Sequence, residues 1–169
     1  MTNSEQKLYK RAWLLSLFTI IYNVAEGLVS MFFGYQDETL ALFGFGVDSF
    51  IEVMSGIGIA VMILRIKQNP ESNKSDFEKT ALRITGIAFY LLSAGLLAGI
   101  IVNLITKHKP ETTLWVVIIS SLSILVMIWL MYAKKRIGLK LNSEPIVADS
   151  NCTKVCVYMS VVLLLSSLI

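Results

Sequence analysis

The stretch LALFGFGVDSFIEVMSGIGIAVMIL, residues 40–64, is an apolar run longer than the ~20 residues a helix needs to cross a bilayer. It nevertheless carries two acids, Asp48 and Glu52. Four more apolar runs accompany it, at about 12–34, 81–106, 114–133 and 146–169. With 55% hydrophobic and 16% charged residues, the chain falls outside the globular range, in which charged residues make up about a quarter. These features predict an all-α polytopic transmembrane helical bundle, a single transmembrane domain over residues 1–169 with five visible spans. Little chain remains for a soluble domain, so any chemistry belongs inside the bundle or at its mouths.

The first run follows a polar segment, Met1 to Arg11. It is too long for a signal-peptide core and lacks a small-residue cleavage site, so it reads as a retained span. Lys and Arg set the orientation. Lys7, Lys10 and Arg11, then Arg65, Lys67, Lys74, Lys79 and Arg83, then Lys134, Lys135, Arg136 and Lys140 fall on one side, against Lys107 and Lys109 on the other. The N-terminus is therefore expected in the cytoplasm, with Asp37 and Glu38 in a short outer loop and Gln68 to Glu78 in a polar cytoplasmic one. Pro145 suits a helix start, and the last run reaches Ile169 without a polar terminator. An odd number of spans ending this way predicts a sixth helix in the natural protein.

Ionisable groups inside such spans carry most of the functional information. Asp48 and Glu52 lie at i, i+4, as do Cys152 and Cys156 in the fifth run. Each pair therefore shares one helical face. At 1.5 Å per residue, Asp48 and Glu52 fall about 18 and about 12 Å above the cytoplasmic boundary, and Cys156 and Cys152 about 15 and about 9 Å above it. If the two helices are neighbours, Asp48 faces Cys156 and Glu52 faces Cys152. Two oxygens and two sulfurs then converge in a tetrahedral set. Carboxylate with thiolate suits zinc or cadmium, whereas magnesium and calcium take oxygen alone and copper(I) takes more sulfur.

A buried carboxylate costs about 2.5–3.5 kcal/mol on the insertion scale, and a bound divalent cation would neutralise the pair. The competing reading is a protonated pair hydrogen-bonded to Ser or Asn on other helices. Taken alone, Cys156 reads as a packing residue rather than a ligand, and Cys152, beside the polar Asn151 and Thr153, reads either way. Asp149, on the cysteine face but nearer the cytoplasm, has an entry or supporting role, and the polar Asn151 belongs with it on the ion pathway. Glu26, with Asn23 one turn before it, is a second ion or proton station, or else pairs with Asn23 or Lys154. Lys154 lies about 200° around the helix from the cysteines and cannot line their site. The glycines Gly44, Gly46, Gly56, Gly58, Gly95 and Gly99 read as close helix contacts. His108, the only histidine, reads as solvated in the outer loop. No phosphate-binding glycine loop, CxxC metal ribbon or nucleophile with a usable histidine is present. This argues against an enzyme, and the basic loops suit lipid headgroups rather than nucleic acid.

Tyr22-Asn23-Val24-Ala25-Glu26-Gly27, the run Ala41 to Glu52 and the run Ala148 to Ser160 together resemble the transmembrane part of the cation diffusion facilitators. The likeness is closest to their short branch, which lacks the cytosolic domain. It implies a six-helix bundle that dimerises and exports zinc or related divalent ions in exchange for protons, with no tightly bound cofactor and a multi-pass place in the cell membrane. In the better-known branch two acids of the second span join a His-x-x-x-Asp pair of the fifth. Asp48 and Glu52 match the acids, and Cys152 and Cys156 replace the other pair. A reading of another class is a regulatory or scaffolding membrane protein, in which Asp48, Glu52, Glu26 and Lys154 form an internal polar network.

Overall fold

The computed structural model describes residues 3–36, 40–68, 74–106 and 114–166. The expected outer-loop acids Asp37 and Glu38, residues 69–73 of the polar loop, and His108 with Lys107 and Lys109 lie outside the described residues, while Lys74 to Glu78 of that loop form the start of α3. Five helices follow in chain order: α1 (Asn3–Gln36), α2 (Leu40–Gln68), α3 (Lys74–Thr106), α4 (Leu114–Leu141) and α5 (Glu144–Ser166). The first four apolar runs each lie within one of them, and the fifth lies in α5 as far as Ser166. Among the described residues α1, α2, α4 and α5 are long and apolar enough to cross a membrane, and α3 runs for 33 residues. The protein is a multi-pass, all-helical membrane protein.

The helices extend beyond the apolar runs because hydrogen bonding within a helix does not stop where hydrophobicity does. Among the described residues Pro145 is the only proline, and it sits in the first turn of α5, where a missing N–H costs nothing. α4 therefore continues through Lys134, Lys135 and Arg136 to Leu141. It then ends at Asn142, whose φ of 48° is left-handed. Ser143 N–H reaches Gly138 O at 3.0 Å and Asn142 N–H reaches Leu139 O at 3.3 Å, a Schellman closure.

Packing is inverted relative to a soluble bundle. On α1 the buried stripe is Ser16, Thr19, Asn23, Glu26 and Ser30, at steps of three and four, while Leu14, Phe18, Ile21, Leu28 and Phe32 are exposed. Lipid can cover an apolar outer face, but polar groups must find partners inside. Many of these hydroxyls and amides bond back onto their own helix, as Ser16 does to Ala12 O at 3.0 Å and Asn23 Nδ2 to Thr19 O at 2.9 Å.

Contacts place α1 against α2 and α4, α4 against α5, and α2 also against α3 and α5. α2 thus meets three neighbours. Its approach to α1 depends on Gly46 and Gly27, since a Cβ on Gly46 would fall 2.7 Å from Met31 Cγ and 2.8 Å from Gly27 O. Gly44 does not share this role, because nothing lies within 4 Å of an added Cβ there.

One apolar cluster joins Tyr9, Ile63, Ala81, Ile137 and Ile146, from the starts of α1, α3 and α5 and the ends of α2 and α4. A second, at the other end, joins Leu42, Phe45, Val116, Ile119 and Leu163. Successive helices therefore run in opposite directions. The polar side chains lie in a layer between the two clusters.

Candidate metal site between α2 and α5

The centre of the polar layer is Glu52 of α2, 1% exposed. Its Oε1 accepts a hydrogen bond of 2.5 Å from the Thr153 hydroxyl of α5. Its Oε2 is buried and has no hydrogen-bond partner among the described residues. Cys152 and Cys156, both buried and free thiols, lie within electrostatic reach of this carboxylate.

Asp48 is placed differently. Its Oδ1 lies 3.6 Å from where a Cβ on Gly95 of α3 would sit, and it makes no hydrogen bond or ion pair among the described residues. Asp48 Oδ1 thus lies on the α3 side of α2. Four residues advance a helix by about 400°, so the two acids point about 40° apart. Because α2 lies against both α3 and α5, that offset sends Asp48 toward one neighbour and Glu52 toward the other. Among the described residues no three His, Cys, Asp or Glu side chains converge as a metal-holding group.

What Glu52 does meet is Lys134 of α4, only 2% exposed. Its ammonium lies 2.9 Å from Asp149 Oδ2, 3.7 Å from Glu52 Oε1 and 2.9 Å from the Thr153 hydroxyl, to which it donates. Asp149 Oδ1 accepts a 2.7 Å bond from Ser55 of α2, and the Ser55 hydroxyl also lies 3.1 Å from Thr85 of α3. Four helices thus share one network of a cation, two carboxylates and three hydroxyls. A lysine can be held this deep only with such partners, because an unpaired buried charge costs several kcal/mol.

Lys134 is the residue that sequence reasoning missed, having assigned it to a cytoplasmic connection. Its signal was the stripe Ser120, Ser123, Met127, Leu130, Lys134, Ile137, in which it occupies the next inward position. Other placements also differ from expectation. Asn151 is exposed on α5 and does not line the site. Lys154 is exposed, its ammonium 5.6 Å from the centre of the Tyr158 ring, and does not pair with Glu26.

Glu26 instead accepts hydrogen bonds from Tyr22 at 3.0 Å and Ser49 at 3.1 Å, with the Ser123 hydroxyl close by. Asn23 is fully buried one turn away, its Oδ1 without a hydrogen-bond partner among the described residues. These residues form a second polar group where α1, α2 and α4 meet. Asp149, by contrast, joins the Glu52 network directly.

Residues 13–169 match the family model of the cation efflux transmembrane domain. The chain belongs to the cation efflux family. It is accordingly a transporter that moves metal cations across a membrane. No solved structure matches it. In its interior Glu52, Asp149, Cys152 and Cys156 are all buried.

Proposed function

We propose that the protein exports divalent cations, zinc foremost and cadmium as the softer alternative, in exchange for protons, using Asp48, Glu52, Cys152 and Cys156 as ligands. The observation that carries this reading is the Glu52 carboxylate, buried beside the buried thiols Cys152 and Cys156. A carboxylate with two thiols is a borderline-soft donor set suited to zinc and cadmium. Asp48 completes it when a cation draws its side chain from the α3 side, a rotation of one side chain on the same helical face. Carboxylates and thiols shed protons when they take a metal, so loading and proton release are coupled. A bundle that opens alternately to the two sides converts that coupling into antiport.

In this reading the N-terminus faces the cytoplasm, Asp149 supports the site from that side, and Glu26 with Asn23 is a proton station. The protein works as a homodimer in the cell membrane. Calorimetric titration with zinc and cadmium tests the assignment. Binding by the wild type that is lost in Asp48→Ala and weakened in Cys152→Ser/Cys156→Ser supports the four-ligand site; binding retained in Asp48→Ala sinks it.

The ion pairs of Lys134 favour a second reading, a protein whose polar network only fixes helix packing. That network is built on Lys134 rather than on Lys154. Such a protein binds no zinc, and Asp48→Asn with Glu52→Gln leaves its behaviour unchanged.

A further inference from the structure

We propose that Lys134 is a tethered cation that holds Glu52 against Asp149, so that a divalent ion loads the site only by displacing its ammonium from Glu52. The inference rests on the ligand cluster proposed above and adds a residue that sets its affinity and selectivity. Three observations carry it.

The first is charge. Glu52 and Asp149, from α2 and α5, are almost wholly buried, and Lys134 is the one cation that the described residues place against both. One positive charge facing two negative ones leaves the cluster short of a cation, and a divalent ion repairs that deficit better than a monovalent one.

The second is the asymmetry of the two contacts. The ammonium is 2.9 Å from Asp149 and 3.7 Å from Glu52. Glu52 is the looser partner. Asp149 is also fixed by Ser55, which donates to its other oxygen at 2.7 Å. The ammonium can therefore release Glu52 while remaining paired with Asp149, at the cost of a short swing of its four-carbon stem.

The third is position. Lys134, paired with Glu52, lies one turn before Ile137, which joins Ile63 and Ile146 in the apolar cluster at the α4–α5 turn end of the bundle. A tethered charge there occupies Glu52 when no metal is present. It spares the carboxylate an uncompensated burial and disfavours ions that bring only one charge. A lysine kept only for packing has no such effect on binding.

Zinc titration of the detergent-purified full chain separates these roles. The wild type is compared with Lys134→Gln, Lys134→Arg, Glu52→Gln and the double variant Lys134→Met/Asp149→Asn. The double variant removes the cation together with one carboxylate and carries the test if Lys134→Gln does not fold. Removing the competitor is expected to tighten the apparent Kd by about tenfold or more in Lys134→Gln and in the double variant, while Lys134→Arg stays within about threefold of wild type. Unchanged or weaker zinc binding in both lysine-lacking variants, with binding lost in Glu52→Gln, overturns the tethered-cation role and leaves the ligand site standing. Absence of zinc binding in the wild type and all variants overturns the site and this role together.

Discussion

The Thr153 hydroxyl donates to Glu52 Oε1 across 101 positions of chain, tying α5 to α2 at the level of the buried acid. The same hydroxyl accepts from Lys134 and lies 3.2 Å from Asp149 O, one turn back on its own helix. A single small side chain thus holds the carboxylate and the ammonium in register.

Thr153→Val keeps the shape and deletes both contacts. It is expected to destabilise the bundle by about 1–3 kcal/mol, the usual cost of leaving buried polar groups unsatisfied. Asp48→Asn, which removes no hydrogen bond or ion pair among the described residues, should cost less stability than Thr153→Val. Thermal melting of the two variants in detergent checks the contrast, and equal losses would contradict it.

The close crossing of α1 and α2 makes a separate prediction. Gly46→Val drives a side chain into Met31 and the Gly27 carbonyl and should cost about 1–3 kcal/mol or more through overpacking. Gly44→Ala meets open space and should be neutral. Melting temperatures of the pair distinguish a contact glycine from an incidental one.

The fold was legible because an apolar run of about 20 residues admits few structures other than a spanning helix. The ends were less legible. Helices α1 and α4 continue through charged turns, so a boundary drawn where hydrophobicity stops falls short, as it did before Lys134. Within the site, the matching depths of Glu52 and the two cysteines could be read from spacing alone. The direction of Asp48 could not, since it depends on which neighbour α2 offers to each side of one face. Asn151 failed for a related reason: its polarity was visible, but its place on the outer face of α5 follows from the packing of α4 and α2 against the other side.

Metal preference should follow sulfur. Cys152→Ser/Cys156→Ser replaces soft donors by hard ones and is expected to weaken cadmium binding by about tenfold more than zinc binding, in line with ligand softness. Parallel titrations with the two ions measure the ratio. An unchanged ratio would make both cysteines packing residues.

Zinc affinity should rise with pH, because protons and metal compete for the same oxygens and sulfurs. Lowering the pH fills those sites with protons and weakens binding; raising it has the opposite effect. Titrations in buffers of different ionisation enthalpy report the protons released per zinc directly. Binding with no proton release would separate the site from antiport.

The most direct test of the account is zinc flux into proteoliposomes under an imposed proton gradient, comparing wild type with Glu52→Gln and Asp48→Ala. The account predicts gradient-driven zinc movement by the wild type that falls to the level of empty vesicles in both variants, each of which still inserts and melts cooperatively. Wild-type rates in either variant, or a wild-type flux indifferent to the gradient, would contradict it.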